Sequence, residues 1–516
     1  MADPRVLIVG AGPTGLVLAL WLTKSGIPVR IIDKTDAPGT SSRALVVHAR
    51  TLEFYRQLGI DRIAIERGIE FKAANLWRAG KRAGRVPFGD LGVTISPYPY
   101  ALIFPQDLHE QMLVEQLELL DIRVERGTEL VDFAISGDSV GAELKKKTGE
   151  REVCHAVYLA GCDGARSTVR EKLGVSFPGG TYADTFYVAD IVASGPVIDG
   201  EMHGALDDAD FLAVFPMKGE GRVRLVGAIR DEAQNGKDLR WEDVSEGIVR
   251  RVKIKVSEVR WFSTYRVHHR VAAHFQKQGV FLLGDAAHIH SPVGGQGMNT
   301  GIGDAVNLAW KLAAVLGNTS PASLLETYEP ERIAFARRLV ATTDRAFTFV
   351  NARGAVATLM RLHIVPRLLP FLFGFAVFRR KLFQTISQIA IKYPQSPLSQ
   401  GSAGGTNGGN RLPWVQFQDA AGKCIDNFIC LATLEWQVHR YSDASPALQK
   451  MCDARQLPLH IFPWSSAAEE AGMRRNAAYV VRPDGYVGLV DPHADPITIS
   501  AYLETWGINP PRGRHE

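Results

Sequence analysis

A buried strand, a glycine turn, an apolar helix and a second strand ending on an acid follow one another at the start of this chain, and few folds accept that order. Val6 to Val9 reads as the strand, Gly10-Ala11-Gly12-Pro13-Thr14-Gly15 as the turn and Leu16 to Ser25 as a helix closed by Gly26. Val29 to Ile32 reads as the second strand, ending at Asp33. In such a G-x-G-x-x-G unit the first glycine permits the turn, the second lets the backbone approach a pyrophosphate, and the third lets helix and strand pack. The helix N-terminus adds free amides and positive potential for an anion. Asp33 stands 23 residues after Gly10, where a carboxylate can accept a hydrogen bond from an adenosine ribose hydroxyl. The unit predicts an α/β, Rossmann-like dinucleotide-binding domain. Gly10, Gly12, Pro13, Thr14, Gly15, Asp33 and the adjacent Lys34 are its candidate contacts. FAD and NAD sites share this geometry, so the unit alone leaves that choice open.

Composition narrows the partners. At 516 residues the chain is long enough for two or three domains, and 46% hydrophobic with 22% charged residues is ordinary for a globular protein. A net charge of +4 gives no reason to expect nucleic acid, so a small molecule is the expected partner. Five cysteines without a C-x-x-C pair suggest neither a disulfide framework nor a zinc site. The start MADPR lacks the basic region of a signal peptide, and a cytoplasmic protein is expected. The apolar run Ile364 to Phe378 is shorter than the ~20 residues a membrane span needs and is broken by Pro366, Arg367 and Pro370. It reads as a buried or lid helix, with no stable membrane insertion.

A second stretch, GDAAHIHSPVGGQGMNTGIGDA from Gly284 to Ala305, decides between cofactors. Two histidines among carboxylates hint at a metal, whereas a glycine-dense loop opening a helix hints at a phosphorylated cofactor. His288 and His290 are two apart with no third ligand at a recurrent spacing, so the metal reading is set aside. His288 is expected to pack or bond locally, and His290 has no assigned role. Val280 to Leu283 reads as another buried strand ended by Gly284-Asp285, and the loop with Gly294, Gly295 and Gly297 leads into a helix from about Asn299 to Leu316. A carboxylate at that strand end can hold a polyol hydroxyl, and the Gly297, Met298 and Asn299 amides can stabilise developing negative charge. A flavin's ribityl chain and reduced ring require those two things, so FAD is the expected cofactor.

Between these motifs lies a third, CDGARSTVR from Cys162 to Arg170. Together with GAGPTG and GDAAHIHSPVGGQGMN it resembles the class A flavoprotein monooxygenases, the family of p-hydroxybenzoate hydroxylase and phenol hydroxylase, over about residues 1 to 345. The resemblance implies an FAD-dependent aromatic hydroxylase. It assigns Gly10, Gly12 and Gly15 to the FAD pyrophosphate, Asp33 to the adenosine ribose and Asp285 to the ribityl chain, with Pro292 and Gly295 in the flavin loop. By the same resemblance Arg43 in SSRA lies near the FAD phosphates, Gln106 in FPQDLHEQM contacts the flavin, and Asp163 and Arg166 serve both FAD and NAD(P)H. No second G-x-G-x-x-G unit follows, so NAD(P)H is expected to bind transiently, reduce FAD and leave. In the family the reduced flavin and O2 form a C4a-hydroperoxide that attacks an electron-rich ring, in a site that must keep water out. The Pro292 carbonyl is implied to help position substrate or peroxide. A phenol also needs a base or relay. Tyr100, Tyr182, Tyr265, His48 and His269 are candidates, and Tyr265 stands with Pro292 as a candidate catalytic residue.

Residues 74–104 and 176–270 alternate like strands, as in Phe211-Leu212-Ala213-Val214-Phe215. They read as one antiparallel sheet inserted into the FAD-binding segments 1–73, 105–175 and 271–345. By resemblance this sheet roofs the flavin and bounds a pocket for an aromatic substrate, with Phe211, Phe215 and Met217 as candidate lining. Residues 346–400 read as a helical connector whose apolar part near Leu368 helps exclude water. GSAGGTNGGN, Gly401 to Asn410, reads as a flexible link by composition. Within 401–516, two strands flank a Pro483-Asp484-Gly485 turn and a final helix lies near Thr498 to Trp506. This part resembles the thioredoxin-like tail of the larger phenol hydroxylases but has no C-x-x-C, so a structural or homodimer-forming role is expected. A Baeyer-Villiger or epoxidising outcome on a polyketide, and a non-catalytic dinucleotide-fold binding protein, stand as alternatives.

Overall fold

A computed structural model describes residues 4–39, 44–78, 80–89, 91–206, 211–229, 239–291, 293–351, 360, 364, 368, 371–418, 421–443 and 445–508. A run of apolar residues covered on both faces makes a central parallel strand, and Val6–Val9 is that strand. All four residues are buried, and it pairs in parallel with Val29–Asp33 on one side and Tyr158–Gly161 on the other. The sheet runs Gln276–Lys277, Val280–Leu282, Tyr158–Gly161, Val6–Val9, Val29–Asp33, Glu125–Arg126, parallel throughout except for its first edge pair. Helices Pro13–Lys24 and Gln296–Leu316 pack on each other within the same core.

The inserted region forms an eight-stranded sheet built from Ala73–Arg78, Lys81–Pro87, Gly179–Ser194, Met202–Leu206, Phe211–Pro216, Arg222–Ile229 and Lys255–Val271, with His288–Ile289 at one edge. The expected antiparallel sheet is corrected at one joint. Met202–Leu206 pairs in parallel with Ala73–Arg78, because these strands come from separate chain segments and no tight turn forces them antiparallel. A helix, Trp241–Val252, also lies inside the region read as strands. Leu102–Ile103 leaves this sheet and pairs with Val46–Val47 and Ile69–Glu70.

The C-terminal part carries four strands in the order Leu459–Phe462, Gln437–Tyr441, Ala478–Val481, Val487–Asp491, the first pair parallel and the others antiparallel. Val438, Ala478, Val480 and Leu489 belong to the same buried core as the N-terminal domain, and Trp436 meets Trp310 edge-on at 5.6 Å. Gly401 to Asn410 is corrected from a flexible link to a docked hairpin. Ser402–Ala403 pairs with Thr406–Asn407, and Gly409 N donates to Val487 O at 2.7 Å. Its glycines serve close approach, since a Cβ on Gly408 would strike the Gln400 backbone. Of the described residues in the run read as a buried or lid helix, Phe373 is buried, whereas Leu368, Phe371 and Phe375 are exposed. Among the described residues no helix is long and apolar enough to cross a membrane.

Candidate active site

The glycine turn is shaped by what a side chain would hit. Gly10 has a φ of +105°, and a Cβ there would strike the Cys162 carbonyl; a Cβ on Gly15 would strike the Gly10 carbonyl. Gly12 differs, because a Cβ there would meet nothing within 4 Å. Its backbone borders open space at a helix start that has Pro13 in the first turn and no side-chain cap, which leaves amides free for an anion.

That space is the end of one cavity of about 640 Å³. From Gly12, Pro13 and Thr14 it passes Cys162, Gly164 and Asp285, follows the loop Gly294 to Met298, and ends against Phe186, Ala213, Phe215, Val226 and Tyr265 of the eight-stranded sheet. Phe71, Phe88 and Tyr100 line the same wall. Phe383 and Ile386, from helix Ala376–Ile386, close it. Among the described residues, Leu368 does not line the cavity, and Phe383 and Ile386 do.

Asp33 fastens the second strand to the turn, accepting from Ala11 N at 2.7 Å and Thr35 N at 2.8 Å. Arg126, which no sequence motif marks, stands 3.8 Å from Asp33 at the end of the neighbouring strand. Lys34 is exposed. Asp163 is engaged locally, accepting from Ser167 Oγ at 2.6 Å and Val169 N at 3.1 Å, and burial pushes its pKa up. Its carboxylate therefore caps the helix Thr168–Lys172, while its neighbours Cys162 and Gly164 reach the cavity and Arg166 stays exposed outside the lining. Arg170, the last residue of the CDGARSTVR motif, donates to Ala286 O and Ala165 O at 3.0 Å each. It ties this motif to the strand end that carries Asp285.

Gly294 and Gly295 adopt φ values of +78° and +63°, turning the loop so that its helix starts at Gln296, earlier than the Asn299 expected. Gln296, Gly297 and Met298 line the cavity, but Asn299 does not. The Asn299 side chain accepts from His48 N at 2.9 Å and Thr51 Oγ1 at 2.8 Å, and donates to Val46 O at 2.8 Å and Gly295 O at 2.9 Å. It braces the loop with its hydrogen-bonding capacity filled. His288 bonds to Asp304 at 2.7 Å, and Asp304 also accepts from Gly284 N at 3.0 Å and Arg332 Nε at 2.6 Å. His290 lines the cavity, donates Nδ1–H to Ser291 O at 2.8 Å, and is pushed down to about 4 by burial.

Gln106 lines the cavity, accepting from Ala44 N at 3.3 Å and donating to Glu110 at 2.7 Å. Of the candidate proton acceptors, Tyr100, Tyr265 and His48 reach the cavity. Burial, then Glu70, pushes Tyr100 up to about 12, and burial pushes His48 down to about 4. Tyr182 bonds instead to Asp344 and packs on His269, and neither lines the cavity. Phe215 lines it; Met217 is buried outside its wall. Arg43, Pro292 and the side chain of Phe211 lie outside the described residues.

Residues 3–343 match the FAD binding domain family. The 6-methylpretetramide 4-monooxygenase of Streptomyces rimosus is 34% identical over 509 residues, 95% of this chain and 84% of its own length. Pentachlorophenol 4-monooxygenase of Sphingobium chlorophenolicum is 31% identical, covering 68% of this chain and 66% of its own. The solved anhydrotetracycline hydroxylase from Streptomyces rimosus aligns with a TM-score of 0.79 at 28% identity, over 98% of this chain and 99% of its own.

Proposed function

The chain belongs to the FAD binding domain family, among its flavin-dependent aromatic monooxygenases, and from that membership we propose that it inserts one atom of O2 into a phenolic, polyketide-type aromatic ring, with NAD(P)H as electron donor. One observation carries the reading. A single cavity joins the open backbone at Gly12, the Asp285 carboxylate and the glycine loop Gly294 to Met298 to an apolar, aromatic wall. A pyrophosphate, a polyol, a ring that gains negative charge and a flat aromatic substrate need those features in that order.

FAD, when bound, supplies the reduced ring that activates O2. In this reading the turn from Gly10 to Gly15 and helix Pro13–Lys24 hold its pyrophosphate, Asp33 with Arg126 its ribose, and Asp285 its ribityl chain. The Gly297 and Met298 amides stabilise negative charge at the end of the cavity nearest the substrate wall. Phe71, Phe88, Phe186 and Phe215 exclude water and stack on the substrate, and the hydroxyls of Tyr100 and Tyr265 orient a phenol. The activities of the relatives on 6-methylpretetramide and pentachlorophenol support this substrate class. The same proposal divides the chain into FAD-binding segments 1–73, 105–175 and 271–345, a substrate sheet at 74–104 and 176–270, a connector at 346–400, and a thioredoxin-like unit at 401–516. The strand order of that unit, with a parallel pair followed by two antiparallel joints, supports the last assignment.

The test is anaerobic reduction of the FAD-loaded protein by NADPH and NADH, with and without polycyclic phenols. Reduction sharply accelerated by one phenol is expected; reduction indifferent to every aromatic overturns the hydroxylase reading.

A further inference from the structure

We propose that His109 is a positioning residue that holds the Met298 turn of the glycine loop through an N–H···S hydrogen bond, an inference that rests on the reading that this loop faces the flavin. His109 is buried on helix Gln106–Glu118, one turn after the cavity-lining Gln106. Its Nδ1 lies 3.3 Å from Met298 Sδ, and its Nε2 meets the buried Tyr55 hydroxyl. A thioether has no proton to give, so the ring proton is on Nδ1 and points at sulfur. Nε2 is then bare and accepts from Tyr55 O–H, so one tautomer satisfies the whole chain. Burial pushes His109 down to about 3 and Tyr55 well up, so both stay neutral and the direction of donation persists across the working pH range. Phe104 packs on the imidazole at 5.3 Å and fixes its plane.

The consequence is one more hold on a loop already tied through Gln296 to Ile386 and Gln388. Asn299 is bonded to the segment 46–51, and Met298 to helix Gln106–Glu118. Methionine has three rotatable bonds and no strong rotamer preference, so without the N–H···S bond the Met298 side chain would lose its hold on helix Gln106–Glu118.

The test uses His109→Leu, which fills the space without a donor, His109→Asn, which places an N–H near the Nδ1 position, Met298→Leu, and the double variant His109→Leu with Met298→Leu. The readout is the ratio of affinities for reduced and oxidised FAD, taken from the reduction potential of the bound flavin. His109→Leu and Met298→Leu should each shift the ratio roughly two- to tenfold against the reduced form, the range of one net hydrogen bond. His109→Asn should recover most of that shift, and the double variant should go no further than either single one. An unchanged ratio in His109→Leu, or additive effects in the double variant, overturns the proposal. If His109→Leu does not fold, Met298→Leu decides: no shift there overturns it equally. Wild-type protein that takes up no FAD would instead bring down the functional reading, and this inference with it.

Discussion

Arg482 grips Glu331 with both arms of its guanidinium, Nη1 to Oε1 at 2.7 Å and Nη2 to Oε2 at 3.0 Å, and neither side chain touches solvent. Glu331 lies on helix Tyr328–Asn351 and Arg482 follows the strand Ala478–Val481, so the pair joins the N-terminal domain to the C-terminal sheet. Lys311 and Asn307 add bonds to Glu331 at 3.0 and 2.6 Å, and Asp484 completes Arg482 while accepting from Trp310 at 3.1 Å. A buried network of this kind tolerates poorly the removal of a charged member, because that loss leaves an uncompensated charge.

Glu331→Gln should therefore destabilise the protein by about 3–5 kcal/mol. Denaturant unfolding measures this, and a variant as stable as wild type would show the network to be incidental. The wild type should unfold in one transition, since the two parts share a core.

Two substitutions at the first turn should separate folding from cofactor binding. Gly15→Ala drives a methyl group into the Gly10 carbonyl and should lower stability and FAD affinity together. Gly12→Ala places its methyl in open cavity, so thermal stability of the FAD-free protein should stay within about 0.5 kcal/mol of wild type while FAD affinity collapses. Equal FAD affinity in Gly12→Ala and wild type would contradict the phosphate cradle.

Histidines shielded from water set an acid limit. His48 and His290 are pushed down to about 4 and His109 to about 3, against an ordinary 6.5. Below 6.5 the unfolded chain takes up protons that the folded chain refuses, so stability is fully present above that pH and is lost as pH falls toward 4. Each histidine contributes a slope of about 1.4 kcal/mol per pH unit in that window. His290→Gln should flatten the stability profile by one such share, and an unchanged profile would mean His290 takes up its proton as readily in the folded chain as in the unfolded one.

Phe383→Ala should open the cavity wall beside Gly92, where the ring now packs. Water entering the site should raise hydrogen peroxide release and lower product formed per NAD(P)H severalfold while NAD(P)H oxidation continues. Peroxide assay against product yield checks it; unchanged coupling would place the water barrier elsewhere.

What the sequence made legible is short-range. Val6–Val9, the Gly10 turn and the Gly294-Gly295 loop each encode a backbone conformation within a few residues, and residue type alone reveals it. Closure of the site is a different matter. Phe383 reaches a wall built around residues 71–101 and 186–226, Asn299 bonds a segment about 250 positions away, and His109 meets Met298 across helices. None of these contacts leaves a periodic trace. Gly401 to Asn410 misleads for a related reason, since a glycine run that permits slack and one that permits close packing have the same composition. Asp163 accepts from Ser167 and Val169, a local contact that its motif does not spell out.

Oxygen insertion into an aromatic ring is decided by incubating the FAD-loaded protein with NAD(P)H, a polycyclic phenol and isotopically heavy O2. A ring-hydroxylated product carrying one heavy oxygen, formed with consumption of one NAD(P)H, is expected. A product labelled from water, or NAD(P)H oxidised to peroxide alone with every aromatic offered, would contradict the monooxygenase assignment.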